Sequence, residues 1–277
     1  MPITIRTNIP SQQAQKNLSA SSAALSQSFD RLSSGLRISS AKDDAAGLAI
    51  SESMSTQIRS FTIAERNAQD AVSMVQTAEG ALAEVHSIMG RLRELAMQGA
   101  NGSLTSTDRG FLDTEYQAMK SEIGRIQQSA KFNGKELLSL NVSTIQFQIG
   151  LDNTASDQLT LTFGGFGLTG ITGSANAIGG SGIDGALAAL GIIDEALGLV
   201  STERAKYGAS MNRLDTTISS IQTMRLNLSA ANSRIRDVDV AVETAALARN
   251  QVLSQAGVAV LAQANQLPQL ALNLLQG

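Results

Sequence analysis

Two stretches of the chain repeat apolar residues in alternating steps of three and four. The first runs Gly47, Ile50, Met54, Gln57, Phe61, Ala64, Ala68, Ala71, Val75, Ala78, Leu82, Val85, Met89, Leu92 and Ala96, and only Gln57 is polar. The second runs Ala186, Leu190, Ile193, Leu197, Val200, Arg204, Tyr207, Met211, Leu214, Ile218, Ile221, Arg225 and Leu228. A seam kept up over so many turns belongs to helices that pack along their length, as in coiled coils. The first predicts a helix over 44–98, about 80 Å long at 1.5 Å per residue. Ser40 and Asp43 precede it with the spacing of a capping box, and Asp43 and Asp44 place negative charge at its start. The second helix begins near Asp184, a suitable N-cap.

Between the seams the pattern changes twice. "GANGSLTSTDRG" breaks the first helix, a shorter one follows from about Asp108 to Ser129, and Asn133-Gly134 signals a turn. The period then becomes two. Ile145, Phe147 and Ile149 alternate with polar residues, as do Leu159, Leu161 and Phe163 after "LDNTASDQ", so a β-hairpin is predicted. The Gly-rich run from Gly164 to Gly182 reads as a flexible connector. Two seams of similar length on either side of a hairpin should pair antiparallel.

The two ends are also helical in period. Ala14, Leu18, Ser21, Leu25 and Leu32 keep near register through a Ser- and Gln-rich stretch, and a last helix is expected from about Asp237, bent at Pro268. At 100° per residue Leu267, Leu270, Ala271 and Leu274 share one face. Leu261, Leu272 and Leu275 lie round its side, and Val258 lies almost behind it. One antiparallel partner would cover only one side of such a helix. The ends should therefore order only when several copies stack, and be disordered in the lone subunit. The side chains expected at that interface are Leu18, Leu25, Leu32, Val260, Leu261, Leu267, Leu270 and Leu274. The predicted architecture is mainly α, an elongated antiparallel helical bundle or coiled coil with a small β-hairpin element. Its parts are 1–43 with 234–277 as terminal helices, 44–140 with 183–233 as the long-helix rod, and 141–182 as hairpin and connector.

Composition supports this picture and removes others. The 277 residues carry a formal charge of −3, no Trp, no Cys, one His and only 3% aromatics. A near-neutral chain is a poor nucleic-acid binder, and no run approaches the 18 or so apolar residues of a membrane span. Without cysteine there is no disulfide, thiolate metal site or thiol catalysis. "MPITIRTNIP" lacks the apolar centre of a cleavable signal peptide, so export is expected by another route. "GFGLTG", Gly165 to Gly170, has the spaced glycines of a dinucleotide loop, yet no helix N-terminus follows to receive a pyrophosphate. His86 beside the seam reads as a solvated helix residue, and Asp43 with Asp44 as a helix start rather than an acid–base pair. No nucleophile, base and oxyanion site come together, so no enzyme, cofactor or metal is expected.

Longer motifs point to a family. "RLSSGLRISSAKDDAAGLAIS" (Arg31 to Ser51) resembles the N-terminal signature of bacterial flagellins. "FNGKELL" (Phe132 to Leu138) and "FQIG" (Phe147 to Gly150) resemble their mid-chain motifs. The stretch from Ser233 to Leu275 resembles their C-terminal region. The resemblance implies a short flagellin without large outer domains. Its terminal helices would form the inner layer of a filament built from many copies for swimming. It implies secretion through the flagellar channel, an export chaperone at the C-terminal segment, and contact with flagellar cap and hook-junction proteins. In members recognised by the vertebrate toll-like receptor for flagellin, an Arg, a Leu and a later Glu matter. "RLRELAMQ" and "LDTEY" place Arg91, Leu95 and Glu115 at those positions. A hook–filament junction protein of the same family is the alternative, and a secreted helical enzyme on this scaffold is a remoter one.

Overall fold

A computed structural model describes residues 7–139, 141–164, 167, 171, 173, 177–179 and 182–276, with side chains of the last helix described as far as 266. Five long helices dominate: α1 Ile9–Ser34, α2 Ala45–Gly99, α3 Ser106–Ser129, α4 Gly182–Arg236 and α5 Val240–Gln276. Strands β1 (Lys131–Phe132) and β2 (Lys135–Glu136) make a small hairpin, and β3 (Ser143–Gln148) and β4 (Gln158–Phe163) a larger one. The architecture is mainly α, as predicted. The chain forms two compact units, Met1–Ile58 with Leu226–Gly277, and Arg59–Arg225. The division falls inside α2, after Ile58, and inside α4, after Arg225, and the larger hairpin belongs to the second unit.

In the second unit the two seams carry the core. Every α2 seam residue from Phe61 to Ala96 is buried, and α4 answers with Ala186, Ile193, Val200, Tyr207, Leu214 and Ile221. Helix α3 adds Tyr116 and Ile123, and β4 adds Leu159, Leu161 and Phe163, whose ring lies 5.6 Å from that of Tyr207. The hairpin has the expected alternation, with Ile145 opposite Leu161 and Phe147 opposite Leu159. Polar residues flanking the seams also pair. Arg225 binds Glu65, Arg204 binds Glu79 at 2.7 Å, and Arg93 binds Asp194 at 2.7 Å. The three α2 partners recur every two heptads, so they hold one side of α2 to α4 in a single register.

Local signals explain the helix starts. Helix α3 begins at Ser106, ahead of the predicted Asp108, because Thr105 is its N-cap. The Asp108 N–H donates to the Thr105 hydroxyl, and the Thr105 N–H donates to the Asp108 carboxylate at 3.0 Å. For α2 the cap is Asp44, which accepts from the Gly47 N–H at 2.9 Å. The Ser40–Asp43 box instead closes the preceding turn, with Asp43 accepting from both Ser39 and Ser40. The seam does not hold to the first turns of α2, where Ile50 is exposed and Met54 half-buried. Asn133 and Gly134 both take positive φ, the requirement of a two-residue type I′ turn, and they join β1 to β2.

The Gly-rich connector is held down where it is described. Ile171 and Ile178 are buried, the Ile178 N–H donates to Asp113 at 2.9 Å, and the buried Lys120 ammonium donates to the Gly173 carbonyl at 2.8 Å. Two isoleucines among the glycines supply apolar anchors that the compositional signal hides. "GFGLTG" lies mostly outside the described residues. His86 is half-buried rather than fully solvated.

In the first unit α1 and α5 pack antiparallel. Leu18 meets Gly257, and Arg31 reaches Glu243 at 3.7 Å. The chain segments leading out of α1 and into α5 are tied together. The Arg37 N–H donates to the Arg236 carbonyl, the Val238 N–H to the Gly35 carbonyl, and the Arg37 guanidinium to the Ile235 carbonyl at 2.6 Å. Gly35 ends α1 in the left-handed conformation that suits glycine.

Candidate assembly surface

The α1–α5 contact is made largely of small or polar residues. Among the described side chains of these two helices, Ala14, Ser28, Ala264 and the Glu243 carboxylate are its buried members, and Gly257 lets Leu18 close in. Of the expected interface residues, Leu18, Leu25, Leu32 and Leu261 are half-buried along this contact or beside it, while Val260 is 57% exposed. Leu267, Leu270 and Leu274 have side chains outside the described residues. Their backbone continues α5 past Ala264, the level at which α1 begins. Pairing two helices thus uses only part of the apolar surface that they carry.

What remains uncovered is organised. Val242 is 66% exposed and Leu253 51%. With Val260 they fall within about 20° of one another around α5 at 100° per residue. Val240 and Val258, also exposed, share a different side, and Val252 a third. On α1, Ile9 and Phe29 are exposed. Of the Val242–Leu253–Val260 stripe, only Val260 was among the residues expected at an interface. The stripe's 11- and 7-residue spacings were the available signal. Such a stripe offers no reactive chemistry. It can gain free energy only by contact with other apolar surface, roughly 25 cal/mol per Å² removed from water.

The second predicted site lies where α2 faces α3. Arg91 donates to Glu115 through Nε at 2.9 Å and Nη2 at 2.7 Å, and to Glu94 through Nη1 at 2.8 Å. These carboxylates, Glu115 first, hold the guanidinium charged by raising its pKa. Leu95 is fully buried beneath this exposed group. A docking molecule could touch Arg91 and Glu115 directly, whereas Leu95 could act only by supporting the backbone that presents them.

Comparison with known proteins agrees with both ends of the chain. Residues 5–143 match the family of the bacterial flagellin N-terminal helical region, and residues 190–275 that of the bacterial flagellin C-terminal helical region. A flagellin of Halalkalibacterium halodurans is 44% identical, covering 98% of this chain and 99% of its own. A flagellin of Bacillus subtilis is 40% identical, with 98% and 99% covered. A flagellar filament core protein of Brachyspira hyodysenteriae is likewise 40% identical, with the same coverage. Among solved structures, the crystal structure of Bacillus cereus flagellin is similar with a TM-score of 0.51 and 32% identity, over 60% of this chain and 94% of that one. Helical seams, a closing hairpin, apolar terminal helices left half-covered, and full-length similarity all agree: the chain belongs to the bacterial flagellin family.

Proposed function

We infer that this chain is a structural subunit that polymerises with copies of itself into the extracellular filament of the bacterial flagellum, and is not an enzyme. The observation that supports this most directly is the exposed Val242–Leu253–Val260 stripe, which stays in water although the helix already has α1 as a partner. Neighbouring copies burying that stripe and the Leu267–Leu274 tail would supply the free energy that α1 and α5 alone lack. The named relatives are flagellins and a filament core protein, which favours the bulk subunit over a hook-junction protein. Seeded assembly followed by electron microscopy tests the reading. Long tubes are expected, and short rings or no polymer would refute it.

Finer consequences follow from the same reading. Export runs unfolded through the flagellar channel, with a chaperone holding the C-terminal segment and cap and hook-junction proteins meeting the growing end. The Arg91–Glu115 pair forms the surface offered to the toll-like receptor for flagellin, with Leu95 supporting it from below. No response of reporter cells to soluble monomer would remove the receptor from this account.

A further inference from the structure

Helix α5 contains one proline, Pro268, and a proline has no N–H. Inside an α-helix each carbonyl accepts from the N–H four residues on. The carbonyl deprived of its donor by Pro268 is therefore that of Ala264. Ala264 is buried, so water is a poor substitute. Asn8, at the other end of the chain, supplies the missing bond. Its Nδ2 donates to the Ala264 carbonyl at 2.8 Å, while its Oδ1 accepts the Ser11 N–H at 3.1 Å as the N-cap of α1. The Ser11 hydroxyl adds a bond to the Asn265 carboxamide at 2.7 Å.

The two jobs of Asn8 select its residue type. Ser, Thr, Asp and Asn can all accept the capping hydrogen bond. Only Asn among them adds a second atom that donates, since an ionised Asp accepts only and a hydroxyl has a single short arm. Along α5, away from its C-terminal turn, Ala264 is the one position whose carbonyl lacks its helical donor by covalent structure. A lengthwise slip of α1 by one turn, about 5.4 Å, would move Asn8 off that carbonyl. It would leave a buried acceptor unsatisfied.

We propose that Asn8 and Pro268 are a matched pair that sets the lengthwise register of α1 on α5, and that filament assembly depends on this register. The second half rests on the filament reading above. Register decides which exposed α5 residues lie beside which α1 residues, and so the surface that a neighbouring copy meets. Asn8 is a positioning residue here, acting through the Ala264 carbonyl.

The test is a cycle of four full-length proteins in seeded assembly: wild type, Asn8→Asp, Pro268→Ala and the double variant. Asn8→Asp keeps the cap and loses the donor, so a simple capping role leaves it unharmed. Pro268→Ala returns an N–H to the helix and satisfies Ala264 from within. The critical concentration should rise about tenfold or more for Asn8→Asp, through the loss of one part-buried hydrogen bond. It should rise no more than about twofold when the same change is made in the Pro268→Ala background. Assembly of Asn8→Asp at the wild-type concentration, or an equal penalty in both backgrounds, overturns the proposal. Asn8→Ser gives the same reading should the aspartate disturb folding. If wild type does not elongate, the filament reading falls. The pair is then judged in the soluble chain by the Ala264 carbonyl NMR shift, and an unchanged shift in Asn8→Asp overturns it.

Discussion

The two compact units solve the burial of apolar surface in opposite ways. The second unit closes on itself, and Leu82, Val85, Met89, Leu92, Leu137 and Leu138 are shut away by α3, α4 and the hairpins. The first unit buries small or polar residues along its helix pair, Ala14, Ser28 and Ala264, and leaves Val242, Val252, Leu253 and Val260 in water. Apolar content does not explain the difference, since α5 has the highest mean hydropathy of the five helices. The number of partners does. A long helix enclosed on several sides completes a core, while a helix with one neighbour remains open for association.

The comparison can be broken most directly at the tail. Deleting Leu270–Gly277 should abolish polymerisation while the second unit melts as in the parent, and normal filaments from this variant would show that neighbouring copies do not rely on the tail. Leu267→Asp with Leu274→Asp should behave like the deletion. Val242→Asp with Leu253→Asp places charge in the exposed stripe. It should raise the critical concentration by at least about tenfold through the cost of burying unpaired carboxylates, with no change in monomer melting. Leu92→Ala probes the other unit. It should destabilise the central helices by about 2–5 kcal/mol in denaturant titration, as expected for a fully buried leucine.

Titration offers a gentler contrast. The chain has two tyrosines, both buried in the second unit. Burial pushes the Tyr116 hydroxyl up from 10.0 to about 12 and that of Tyr207 higher still. Because the folded state favours the neutral phenol, this contribution is intact below the ordinary tyrosine value and is lost as pH rises beyond it. Phenolate absorbance should therefore appear together with loss of helix on alkaline titration, not before it. The smallest effect is at acid pH. Hydrogen bonds from Thr105 and from Arg93 hold Asp108 and Asp194 below the usual 3.8. Their stabilisation is complete above that value and fades as pH falls through the lower folded values. Asp108→Asn should slightly flatten the acid limb of a melting-temperature profile.

Much of the fold was legible because helical periodicity is a local property. The seam from Phe61 to Ala96, the alternation of β3 and β4 and the Asn133-Gly134 turn each follow from a few neighbouring residues. The misjudged places share a cause. Ser40 and Asp43 have capping spacing, yet Asp43 closes the preceding turn and it is Asp44, accepting from the Gly47 N–H, that caps α2 at Ala45. Ile171 and Ile178 are two apolar residues in a flexible-looking run, and Asp113 and Lys120 on α3 decide that the run is held. Of the candidate site, the oily tail and Val260 were legible in the sequence, Val242 and Leu253 were not, and the burial of Leu95 became visible only in the fold.

The sequence by itself determined that this chain makes long helices, interrupts them with one substantial hairpin, and carries more apolar surface at its ends than one helix partner can hide. It could do so because spacing along a helix maps directly onto position around it. Which of those apolar residues are spent inside the chain and which are left for another copy was decided only by the tertiary structure. So was the meeting of Asn8 with the carbonyl that Pro268 leaves without a donor. Burial and hydrogen-bond satisfaction depend on residues brought together from distant positions, and no local spacing encodes them.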